Sequence, residues 1–166
     1  LKAEYEDAQK RILAAWNEWV IVVNSALSPR KIEQLARKLK LIGDLLMSAK
    51  RAIESVIQTY ADCMNESDAD KVKLAFHSSA KITGYLPDGL HEMSTEDFAS
   101  FVAAQSPPKE TDDPVTLEIL SIEIAGKTAV AQVRDRYLGM TFLDTLAFLE
   151  IEDSWTIYNK MFHVES

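Results

Sequence analysis

Cysteine is nearly absent from this chain: its 166 residues hold one, Cys63. That excludes an internal disulfide framework and a thiolate metal cluster, and fits a reducing compartment or a bacterial host. Glycine and proline number five each, and no phosphate-cradling glycine loop or nucleophile elbow can be found among them. Long hydrophobic runs are missing too. None exceeds the five residues of Trp19 to Val23, far short of the roughly 20 residues that a membrane helix needs. The first ten residues, LKAEYEDAQK, lack the apolar core of a signal peptide. A soluble, cytoplasmic protein without membrane insertion is expected.

Excess basic charge is also lacking, since the net charge is -8. An acidic body argues against nucleic acid as a partner, because phosphate neutralisation needs a basic surface. The acidity is unevenly spread. Residues 1–53 carry ten Lys or Arg against six Asp or Glu, and residues 54–166 carry eight against twenty. The basic front half reads as the solvated faces of two helices. With 47% hydrophobic residues, the chain can build a sizeable core.

Residues Ala3 to Ala26 predict a first helix, with Trp16 and Trp19 on one face and Glu4, Glu6 and Asp7 in the first turns, where the helix dipole favours negative charge. Ser28 is placed to cap a second helix, with Pro29 at its first position. That helix runs to about residue 64 and completes a helical hairpin. Its stripe of Leu35, Leu39, Ile42, Leu46, Ile53, Ile57 and Tyr60 must be buried against something. Leu41, Leu45 and Ala52 form a second, shorter stripe.

Beyond it, Asp68 to Phe76 predict a short helix, SSAKITGY and LHEM predict strands around the turn LPDG, and TEDFASFVAAQ predicts a helix capped by Ser94 or Thr95 and stopped by Pro107 and Pro108. From Val115 the texture becomes alternating, in four strands that form an antiparallel meander. Helices first and strands last predict an α+β fold with helices on one face of a curved sheet. Residues 1–52 are expected to be a helical extension and 53–166 the α+β domain, the two sharing the long helix.

Three segments, VIQTYADCMNESDADKVKLAFHSSAKITG, STEDFASFV and FLDTLAFLEIEDSWTIYNKMFH, resemble the nuclear transport factor 2-like superfamily, in its SnoaL-like and lumazine-binding-like group. The resemblance covers residues 53–164 and implies a cone-shaped α+β fold whose pocket holds a small molecule. It also brings isomerases and dehydratases into view. In the isomerase-type site a helix tyrosine, a strand acid acting as base and a protonated acid form the machinery. Tyr60 matches the tyrosine, whereas the base position falls on Gly84 and the second acid on Ala147. No catalytic residue is therefore assigned. Asp144, three residues from Ala147, is expected on the opposite face of the sheet. Tyr60, His77, Tyr137, Trp155 and His163 are the candidate pocket lining, and Arg134, Asp135 and Arg136 read as a charged strand rim. His77, His91 and His163 sit on separate elements with no carboxylate at ligand spacing, so neither a metal nor another cofactor is expected. Cones of this kind also imply a homodimer through the outer sheet face.

Upstream, LARKLKLIGDLL resembles the Bcl-2 homology 3 death motif, a helix laid into the groove of a pro-survival Bcl-2 family protein. The resemblance implies four anchors, Leu35, Leu39, Ile42 and Leu46, a small residue at Gly43 and a charge at Asp44. Glycine inside a helix costs about 1 kcal/mol relative to alanine, so Gly43 needs a reason. Either a partner surface or the first helix comes close to it. A death-motif helix joined to a cone-shaped domain suggests an engineered protein that binds and inhibits a pro-survival Bcl-2 family protein. The alternative function is a small-molecule binder or an isomerase- or dehydratase-like enzyme using the cone pocket.

Overall fold

The computed structural model describes residues 28–165 together with Ala14, Asn17, Glu18 and Val20. Most of the expected first helix, Trp16 and Trp19 included, lies outside the described residues; Ala14, Asn17, Glu18 and Val20 are helical. Helix α1 spans Pro29–Glu66, two residues beyond its expected end, and the chain divides into two units between Leu45 and Leu46.

In the first unit, the described part of α1 exposes its leucines and Ile42: Leu39 is 69% and Ile42 53% exposed. A Cβ built on Gly43 meets nothing within 4 Å.

In the second unit, the same helix buries Ile53, Ile57, Tyr60, Ala61, Cys63 and Met64. The spacing of four, three and four from Ile53 to Met64 keeps one face inward for nearly three turns. Each fully buried Ile contributes about 1.5–3 kcal/mol. Helix α2, Ala69–Ala75, starts at Asp68, whose carboxylate accepts from the Asp70 and Lys71 amides. Strands β1, Phe76–Leu86, and β2, Gly89–Ser94, follow as a hairpin. Helix α3, Thr95–Ala103, begins with a capping box between Ser94 and Asp97, which satisfies two otherwise orphaned amides. A short 3-10 turn, Pro108–Glu110, leads to β3, Thr116–Ala125, β4, Thr128–Tyr137, β5, Met140–Ile151, and β6, Ser154–Val164.

The six strands form one sheet in the order β2-β1-β6-β5-β4-β3. All neighbours are antiparallel except β1 and β6, which run parallel. The meander β3 to β6 is thus as expected, and the early hairpin extends it past the last strand. Two-residue turns close the meander at Gly126–Lys127, Leu138–Gly139 and Glu152–Asp153. Gly126 and Gly139 take φ of +64° and +77°, a region glycine enters without steric cost.

Bulges bend the sheet into a cone. In β6 the register against β5 slips so that Ile157 pairs with Phe148 and Asn159 with Ala147. Tyr158 is the extra residue. Before it, Trp155 and Ile157 point inward; after it, Lys160 and Phe162 do. Among the described residues, no helix is long and apolar enough to cross a membrane.

Candidate functional site

A cavity of about 270 Å³ opens between the concave sheet face and the helices. Its wall is apolar: Met64 from α1, Ile82 and Leu86 from β1, Phe98 and Phe101 from α3, and Phe142 and Phe162 from the sheet are among its lining residues. Tyr60, Asp135 and Lys160 supply polar groups. His91 also lines the cavity and pairs through Nε2 with Asp88 Oδ1 at 2.8 Å.

The polar groups belong to one cluster. The Tyr60 hydroxyl donates to Asp144 Oδ2 at 2.8 Å and lies 3.3 Å from Asp135 Oδ2. Lys160 Nζ donates to both Asp144 Oδ2 and the Tyr60 hydroxyl. All four residues are buried, Asp144 completely. Burial pushes the Asp135 carboxyl up to about 8, with further upward contributions from the Asp144 charge and from a hydrogen bond to Asp144, against the lowering effect of Lys160. At neutral pH Asp135 therefore holds its proton. Burial, then the charges of Asp135 and Asp144, also hold the Tyr60 hydroxyl well above its ordinary value. The floor consists of a neutral acid and a neutral phenol beside a buried ion pair.

Several expectations need correction. Asp144 does lie on the face opposite Ala147, as expected, but Asp144 is the inward one, because β5 buries Phe142, Asp144, Leu146 and Phe148 in strict alternation. Asp135 is no rim residue: it shares the inward parity of Val133 and Tyr137, while Arg134 and Arg136 point outward to Glu165 and Asp113. Of the expected lining residues, Tyr60 and Tyr137 line the cavity, whereas His77, Trp155 and His163 do not. The bulge at Tyr158 puts His163 on the outer face and Lys160 on the inner one. His77 lies against Tyr158, with ring centroids 5.0 Å apart. Trp155 is buried in the core beyond the cavity.

Gly84 does face inward, but the Cβ position there is filled. An atom built on it would lie 2.2 Å from the Phe162 carbonyl oxygen and 2.5 Å from Phe162 Cγ. No side chain fits where the isomerase-type base would stand. Cys63 is inert, since burial raises its thiol to about 12 and Sγ donates to the Tyr60 carbonyl. Lys160, Asp135 and Asp144 are the cluster residues that sequence reasoning missed. Inward parity on β4 was the available signal for Asp135, whereas nothing local announces the bulge that turns Lys160 inward.

A curved sheet wrapped over helices, with an apolar cavity and an ionisable floor, defines the nuclear transport factor 2-like class. The chain belongs within it to the family described as "Putative lumazine-binding", whose profile matches residues 48–163. Similar solved structures are nuclear transport factor 2-like proteins of unknown function. One from Silicibacter pomeroyi is 25% identical with a TM-score of 0.67, covering 72% of this chain and 98% of that one. One from Methylobacillus flagellatus is 27% identical with a TM-score of 0.65, covering 72% and 94%. One from Shewanella baltica, at 24% identity, 0.65 and the same 72% of this chain with 96% of that one, agrees in fold. No curated protein matches the chain.

Proposed function

We propose that the cavity binds a small, largely apolar molecule carrying an oxygen that accepts hydrogen bonds from Asp135 and Lys160 on the floor beside Tyr60. The observation that carries this reading is the contrast between wall and floor. An apolar enclosure with a few convergent polar groups is the usual form of a small-molecule site, and Asp135 with its proton retained is an unusual donor to find there. The same groups suit an isomerase- or dehydratase-type proton transfer, with Asp135 as the acid. Calorimetric titration with 2-tetralone and with tetralin, its hydrocarbon counterpart, tests the reading. A hydrogen bond to the floor is expected to favour the ketone by about tenfold, or 1.4 kcal/mol. Equal affinity for both, or no binding of either, overturns it.

A second reading is favoured by the exposed stripe on α1. Leu35, Leu39, Ile42 and Leu46 are 46%, 69%, 53% and 49% exposed, and Gly43 has open space beside it. These residues with Asp44 form a death-motif-like helix that would dock in the groove of a pro-survival Bcl-2 family protein and inhibit it, as an engineered binder would. Titration against several such proteins is the test. Replacing Leu39 or Asp44 with Ala is expected to cost about 2 kcal/mol of affinity. Absence of binding to every member sinks this reading.

A further inference from the structure

Among the described residues Lys160 is the one buried lysine, 5% exposed, and it lines the cavity. Its Nζ lies 4.8 Å from the Tyr60 ring centroid, 5.6 Å from that of Phe162 and 6.0 Å from that of Phe142. Carrying a charge pair into such surroundings brings a desolvation cost that an apolar pair would avoid. As a purely structural device the pair is a poor choice. Desolvation by apolar groups favours the free amine of a lysine, the form that attacks a carbonyl carbon, and acids within reach can supply and accept the protons of that reaction.

We propose that Lys160 condenses reversibly with the carbonyl group of a small apolar ketone or aldehyde in the cavity, forming an imine. The inference rests on the cavity-binding reading and narrows its ligand to carbonyl compounds. The ammonium first passes a proton to Asp144, on which it already donates. The freed lone pair attacks the carbonyl carbon, and the carbonyl oxygen takes the proton of Asp135. The new C–N nitrogen then returns one proton to Asp135. Finally the C–O bond breaks as the hydroxyl leaves as water, protonated through Tyr60 by Asp144, while the nitrogen lone pair closes the C=N bond. One ammonium and one carbonyl become one iminium and one water, and both acids end as they began.

Charge supports this sequence as much as position does. The iminium keeps the positive charge of the ammonium opposite Asp144, so the buried charge is unchanged by the reaction. Asp135, pushed up to about 8, holds a proton to give at neutral pH and can take one back, as an acid with a value near the working pH should. The apolar wall excludes the water that would hydrolyse the product.

The test uses the full chain and 2-tetralone. Protein and ketone are incubated, reduced with sodium cyanoborohydride and mapped by peptide mass spectrometry, while calorimetry on the same samples reports cavity occupancy. A single secondary-amine adduct on the peptide carrying Lys160, suppressed by excess tetralin and lost in Lys160→Met, is expected. Should that variant not fold, the mapping and the tetralin competition on the unaltered chain still decide. If 2-tetralone binds and Lys160 stays unmodified, the imine is overturned and the binding reading stands. If the ketone neither binds nor labels, both fall. Label spread over surface lysines, with none enriched at Lys160, also overturns the imine.

Discussion

Tyr60 and Asp144, 84 residues apart in the chain, meet at 2.8 Å behind the cavity wall that Tyr60 lines, where Asp144 is fully buried. The hydroxyl serves as the hub of the cluster, since it also accepts from Lys160 and lies beside Asp135. Tyr60→Phe keeps the ring and removes the hub. A loss of about 1–3 kcal/mol is expected, because buried polar partners are left short of a hydrogen bond. Urea denaturation measures it, and an unchanged midpoint would show that the hydroxyl is dispensable to the fold.

The Lys160–Asp144 pair predicts a non-additive double-mutant cycle. Lys160→Met alone strands a buried carboxylate and is expected to cost about 3–5 kcal/mol. Adding Asp144→Leu removes the stranded charge and is expected to restore most of that loss. Additive effects in denaturant titrations would mean that the two side chains are not coupled.

Asp135 makes stability depend on pH in a definite direction. Between the ordinary aspartate value of about 4 and its folded value of about 8, the folded chain holds a proton that the unfolded chain has released. Stability contributed by this group is therefore complete below about pH 4, is lost as pH rises toward 8, and declines no further above that. Asp135→Asn removes the effect. The difference in unfolding free energy between the original chain and this variant should fall steadily over that window; a flat difference would mean an ordinary carboxylate.

Gly84 is required by the close approach of β6. Gly84→Ala drives a methyl against the Phe162 backbone and ring and is expected to cost on the order of 1–3 kcal/mol or more, as overpacking does. Thermal denaturation reports it. A neutral substitution would mean that the two strands can separate locally at no cost.

The two parts of α1 should respond differently to substitution. Leu39→Glu, on the exposed stretch, is expected to change unfolding free energy by less than about 0.5 kcal/mol. Ile57→Ala, in the core, is expected to cost about 2–5 kcal/mol. Loss of folding with Leu39→Glu would place that face inside.

Much of the fold is legible in the sequence. Alternation in TFLDTLAFLEI and KTAVAQVRDRYL, together with the turn residues between them, carries the meander, and Ser94 with Asp97 marks the start of α3. Three of the four residues in the buried polar cluster were legible as well. Tyr60 follows from helical spacing, and strict alternation along β4 and β5 suffices to turn Asp135 and Asp144 inward; aligning the second acid on Ala147 obscured this. Lys160 was not legible, because extending the alternation of Trp155 and Ile157 leads to His163 instead.

The sequence by itself determined which residues become helix and strand and which face each element offers, since side-chain spacing and capping are properties of neighbours in the chain. Only the tertiary structure decided which ionisable groups meet. The register slip at Tyr158 arises from pairing β6 with a strand on each side as the sheet bends, and that slip delivers Lys160 to Tyr60, 100 residues away. Burial then sets the proton on Asp135, because the cost of ionising a carboxyl depends on everything the folded chain has placed around it.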